Sequence, residues 1–182
     1  MRTTPVLAIT CMLFAMLVAM VASAAPATDQ VRIRYEPPKE QRYQAIYDDL
    51  RERRALERLR EFLSPFRLPR TLEIELTDCG GEADAFYGDD IITICYEYVE
   101  VLWDNMPEDT TPSGIEPIDA VIGPFFDTSL HEFAHALFDM LDIPVLGREE
   151  DAADQVAAYI YLNLGPVESR RLILGTAYTF LS

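Results

Sequence analysis

The chain has 182 residues, 49% of them apolar, enough to bury one core and short for two domains. Its formal net charge of -16 is unevenly spread: residues 29–70 hold 11 basic against 8 acidic side chains, whereas residues 71–169 hold 23 acids and one base, Arg148. Such a stretch excludes a nucleic-acid surface, which needs clustered cations, and suits a divalent metal, a cationic ligand or simple solvation.

Residues 1–24 read as a secretory signal peptide: Arg2, an uncharged run from Thr3 to Ser23, then the small-x-small cleavage site Ala22-Ser23-Ala24. An uncleaved anchor is the alternative, because the run approaches spanning length. Either way the rest of the chain is exported, and with cleavage it is secreted or periplasmic and free of the membrane. Residues 25–38 contain prolines and show no clear period, so they read as a linker to a single domain over 39–182. From Lys39, Tyr43, Ile46, Tyr47, Leu50, Leu56, Leu59 and Leu63 suggest one amphipathic helix with a charged outer face, closed by Pro65 and Pro69.

"TLEIELTDC" alternates Leu72, Ile74 and Leu76 with Glu73, Glu75 and Thr77, the period of a strand with one dry face. A second strand is expected near Ala85–Tyr87, a turn at "GDD", and a third strand in "IITICYEYV". Cys79 and Cys95 form an even pair in an exported chain and most simply make one disulfide; two buried thiols are the other possibility. Residues 104–117 are a polar loop. An apolar stripe from Ile118 to Leu141 predicts a long helix, kinked or restarted at Pro124; "REEDAADQVAAYIYLNL" begins another with an acidic first turn, and Pro166 opens a last one. The fold class is α+β, mostly helical, with a small antiparallel or mixed sheet.

Both histidines of the chain lie in "HEFAH". His131 and His135 are one helical turn apart, so their imidazoles leave the same face and can reach one metal ion. Glu132 is rotated about a quarter turn away, where it can take a proton from water without ligating the metal. A catalytic zinc needs a third protein ligand. In "EEDAAD" the favoured choice is Glu150, with Asp154 one turn on to accept the free ring N–H of His131. Glu149, Asp151 and Asp154 are rivals as ligand, since an acidic helix start also has a plain dipole explanation. Ala152, Ala153, Ala157 and Ala158 leave room for the two helices to pack closely.

"HEFAH" followed by "EDAAD" resembles the Glu-x-x-x-Asp arrangement of the thermolysin-like gluzincin metallopeptidases. "HEFAHALFDMLDIPVLGREEDAADQ" is similar to a bacterial family of unknown function described as metallopeptidases, over roughly residues 70–165. The resemblance implies a zincin-like fold, zinc on His131, His135 and Glu150, Glu132 as the base, Asp154 behind His131, and a peptide or protein substrate. "DAFY" is similar to the Asn-Ala-aromatic edge strand that pairs with substrate in gluzincins, with Asp84 in place of the Asn. Two features depart from thermolysin: the interval from His135 to Glu150 is shorter, and no third histidine is present as an oxyanion donor. Tyr87, Tyr159, Tyr161, Tyr178 and Arg148 are the alternatives for that role. The expected activity is therefore that of an exported zinc metallopeptidase; a zinc-stabilised domain that binds a peptide or protein without cutting it is the second expectation.

Overall fold

The computed structural model describes residues 30–181; the expected signal peptide lies outside them. Four strands, β1 (Val31–Tyr35), β2 (Leu72–Thr77), β3 (Ala85–Gly88) and β4 (Ile91–Cys95), form one sheet in the order β1-β2-β4-β3. β1 and β4 both run parallel to β2, while β3 is antiparallel to β4, so the sheet is mixed and β3 lies at its edge. The fold is α+β, as expected. Among the described residues no helix is long and apolar enough to cross a membrane.

β1 occupies part of the segment expected to be a linker. "VRIRY" does alternate, with Val31 buried and Arg32 and Arg34 exposed, and Arg34 reaches across the parallel register to Glu73 and Glu75. β2 buries Leu72, Ile74 and Leu76 on the face that β4 continues with Ile92 and Ile94. The opposite face is polar, where Thr93 donates to Glu75 at 2.9 Å. One dry face and one wet face are what an α+β sheet covered on a single side requires.

The single helix expected over 39–63 is broken. A 3-10 turn (Gln41–Tyr43) leads into α1 (Gln44–Glu52), and α2 (Ala55–Leu63) begins after Arg54, which adopts a left-handed backbone at φ 55°. The reason is phase. Leu50 and Leu56 are six residues apart, off the helical repeat, and the break returns Leu56, Leu59 and Leu63 to the core face. A second correction concerns "IITICYEYV", which is strand only through Cys95 and then turns into α3 (Tyr96–Asp104). Tyr96, Val99 and Leu102 are all buried at three-residue steps, which fits a helix and not an alternating strand. The tight β3–β4 turn is made by Asp89 and Asp90, both at positive φ, the backbone that a two-residue hairpin of this twist demands.

The remaining helices are α4 (Asp119–Met140), α5 (Glu149–Leu162) and α6 (Pro166–Leu181). α4 runs unbroken through Pro124. The proline cannot donate to the Ala120 carbonyl, and the Thr179 hydroxyl donates to that oxygen instead, at 2.9 Å. α4 and α6 approach closely through Gly123 and Gly175; a Cβ on Gly175 would lie 1.9 Å from the Asp119 carbonyl oxygen. This packing fixes the first half of α4, while its second half runs beside the edge strand β3.

Candidate metal centre

The second half of α4 is anchored by Leu130, Phe133, Ala134, Ala136 and Leu137, all buried. With that face in the core, His131 and His135 are turned toward α5 and an open cleft of about 1250 Å³. Ala153 and Ala157 of α5 are buried and carry no bulk, which lets the acidic first turn of α5 stand over the two imidazoles.

Three donor atoms meet there. His131 Nε2 lies 3.1 Å from His135 Nε2 and 3.0 Å from Glu150 Oε2, and His135 Nε2 lies 3.6 Å from the same oxygen. The opposite ring nitrogens are also engaged: His131 Nδ1 is 2.8 Å from Asp154 Oδ1, and His135 Nδ1 is 2.8 Å from Glu149 Oε1. With both rings neutral, each carboxylate can accept an Nδ1–H, which leaves the Nε2 lone pairs facing one another and Glu150. In that state three acceptors converge and repel; a proton on His131 Nε2 donated to Glu150, or a cation between them, removes the repulsion. The point equidistant from all three is about 1.9 Å from each, close to a zinc–ligand bond of about 2.0–2.2 Å, so the three donors are spaced as ligands of one ion would be. The residues present therefore fit a metal.

Asp151, a rival ligand by sequence, turns away toward Arg148 at 3.7 Å. Glu149, another rival, contacts the back of His135 and not the convergence point.

A family profile described as "putative metallopeptidase" matches residues 35–182. The chain belongs to this metallopeptidase family. No curated protein and no solved structure matches it. Membership implies a metal and a peptide or protein substrate, and His131, His135 and Glu150 are a set that could hold the metal.

Glu132 is buried at 8% exposure, close enough to both histidines to feel their charge. Burial pushes its carboxyl above the usual carboxylate range, while His131, His135 and the Tyr87 backbone amide oppose that shift. Desolvation lowers the His131 imidazole, but hydrogen bonds to Asp154 and Glu150 outweigh it and leave the group raised.

The loop entering β3 is held by two devices. The Cys79–Cys95 disulfide closes it, with a Cα–Cα distance of 5.4 Å. The buried Glu97 accepts the backbone N–H groups of Cys79 and Gly81 at 2.9–3.1 Å. At the other end of the cleft Arg70 donates to Asp90 at 2.6 Å and to Asp139 at 2.5 Å, and the Tyr87 hydroxyl donates to Asp139 at 2.7 Å. Of the five residues named as oxyanion donors, Tyr87 alone lines the cleft. Tyr161 is buried and donates to the Gly123 carbonyl, Tyr159 and Arg148 are exposed elsewhere, and Tyr178 lines a separate hollow with Leu174 and Leu181.

Among the cleft residues that sequence reasoning missed are Arg70, Asp127 and Phe180, and it gave Glu149 another role. Arg70, the only guanidinium lining the cleft among the described residues, sits in a basic segment far from the motif in sequence. Glu149 was considered only as a ligand. Asp127 went unremarked, although "DTS" is a polar interruption one turn before His131 in an otherwise apolar helix.

Proposed function

We propose that the chain is an exported, zinc-dependent metallopeptidase of zincin-like fold. In this reading His131, His135 and Glu150 hold the zinc, Asp154 and Glu149 orient the two imidazoles, and Glu132 is the general base. The observation that carries it is the convergence of two Nε2 atoms and one carboxylate oxygen, each imidazole fixed from behind by an acid. Two nitrogens and one oxygen are a donor set suited to zinc, whereas magnesium and calcium prefer oxygen alone.

Zinc in this site would supply Lewis acidity, acidifying water and polarising the scissile carbonyl. The chain's own residues do the rest. Glu132 accepts a proton from the attacking water and later passes it to the leaving amine, and its raised carboxyl brings its basicity closer to that task. β3 is the edge strand, and its outward N–H groups are capped by side chains, Ala85 donating to Asp84 Oδ1 at 2.8 Å and Tyr87 to Glu132, so an extended peptide added along it would displace those bonds. The Tyr87 hydroxyl is the candidate donor to a developing oxyanion, a role for which its proton would have to turn away from Asp139. A disulfide in the domain supports an oxidising, exported setting.

The test combines metal analysis with Glu132→Gln. The parent should carry one zinc per chain and cleave peptides; the variant should keep the zinc and lose turnover by about a hundredfold or more. Bound zinc with no turnover in the parent would assign a binding domain instead. Turnover that survives in the variant would remove Glu132 from the mechanism.

A further inference from the structure

Most carboxylates of the cleft have a task or a partner. Asp90 and Asp139 are held by Arg70, and Glu149, Glu150 and Asp154 contact the histidines. Asp127 differs. It lies on α4 one turn before His131, is partly buried, lines the cleft, and makes no hydrogen bond or salt bridge with the described residues. A carboxylate that is partly desolvated, beside another carboxylate and without a donor costs the fold stability, and groups left in that condition concentrate at ligand sites. Its surroundings confirm the discomfort: burial first, then the neighbouring Asp154 charge, push it up to about 6, with His131 opposing.

The same cleft is lined by Phe180 from the last turn of α6, 78% exposed. An aromatic ring and an unpaired carboxylate lining one cleft are the combination that can receive a guanidinium or ammonium group on an aliphatic stem. Arg70 is already engaged by Asp90 and Asp139, and the charge of a zinc ion in this reading is offset by Glu149, Glu150 and Asp154 around the two histidines. We propose that Asp127 and Phe180 form a specificity subsite that takes an arginine or lysine side chain of the substrate beside the metal centre. This rests on the metallopeptidase reading above.

The experiment uses zinc-loaded protein and peptide pairs that differ only in arginine or glutamine at one position, scanned across the residues flanking the cleaved bond. Two readouts are taken: the arginine-to-glutamine ratio of kcat/KM, and the same ratio of Kd by fluorescence anisotropy in the Glu132→Gln background. At one position the parent should prefer arginine by about tenfold or more, the scale of a charge-assisted hydrogen bond. Asp127→Asn should bring both ratios near one, and Phe180→Ala should reduce them in part. An unchanged ratio in Asp127→Asn, or a parent indifferent to arginine at every position, would overturn the subsite. Loss of stoichiometric zinc from Asp127→Asn would overturn it too, by assigning Asp127 to the metal centre. If the parent cleaves nothing, the peptidase reading fails and the Kd ratios alone decide the role of Asp127.

Discussion

Replacing Glu149 by alanine separates an orienting carboxylate from a ligand, although Glu149 and Glu150 are adjacent in sequence and both contact imidazole nitrogens. Glu149 Oε1 holds His135 Nδ1 at 2.8 Å, on the side of the ring away from the convergence point, and its side chain is 55% exposed. Water can replace it, so the loss should fall at the low end of the about 10–100-fold range for orienting residues, near tenfold in zinc Kd. Asp154→Ala removes the equivalent bond to His131 Nδ1 from a side chain that is 74% exposed, and should cost a similar factor. Glu150→Ala deletes a donor to the metal itself. Sharing about 10–16 kcal/mol of zinc affinity among four ligands places that loss on the order of a hundred- to a thousandfold. Competition with a fluorescent zinc chelator at fixed pH measures all three variants. Equal weakening of zinc by Glu149→Ala and Glu150→Ala, or an unchanged affinity in both, would refute the distinction between ligand and orienting carboxylate.

Without metal, the raised His131 imidazole contributes stability that is complete below its ordinary value of 6.5 and disappears as pH climbs through the raised value. Zinc requires the unprotonated ring, so the Tm increase on adding one equivalent should be small at pH 5.5 and large at pH 8; equal increases would contradict the assignment. Removing the Cys79–Cys95 bridge by a double alanine substitution should cost about 3 kcal/mol on the loop-entropy model for a 16-residue separation, measured by urea unfolding. A change close to zero would show that the loop is held by Glu97 alone. Gly175→Ala should destabilise by about 1–3 kcal/mol, because the new methyl meets the Asp119 carbonyl and α4 and α6 must part; an unchanged Tm would mean that this contact is looser than the structure shows.

The metal motif was legible because helix geometry alone puts His131 and His135 on one face, and an apolar stripe tells which face is buried. The strand over 72–77 followed from alternation in the same way, and a strand near Ala85–Tyr87 from its place ahead of the "GDD" turn, which together give the α+β class. What the sequence hid depended on phase and distance. The break at Arg54 is visible only once the six-residue step from Leu50 to Leu56 is weighed against the repeat. β1 is five residues long and followed directly by two prolines after Glu36, so its alternation is too short to stand out, and its parallel partner is 41 residues away. α3 starts directly after a β-branched strand, with no breaker to mark the change. Local pattern could nominate Glu149, Glu150, Asp151 and Asp154 together, but only the packing of α5 on α4 separates an acid behind His135 from one at the convergence point. Arg70 and Asp127 enter the cleft through tertiary structure, which no short window contains.

The central claim is that two imidazoles and one carboxylate hold a single zinc ion. X-ray absorption at the zinc edge of protein carrying one equivalent of metal tests it directly. The account expects a first shell of light atoms at about 2.0–2.2 Å with outer-shell scattering from two imidazole rings, reduced to one ring in His135→Ala. A shell containing sulfur, no imidazole scattering, or a spectrum unchanged in His135→Ala would contradict it.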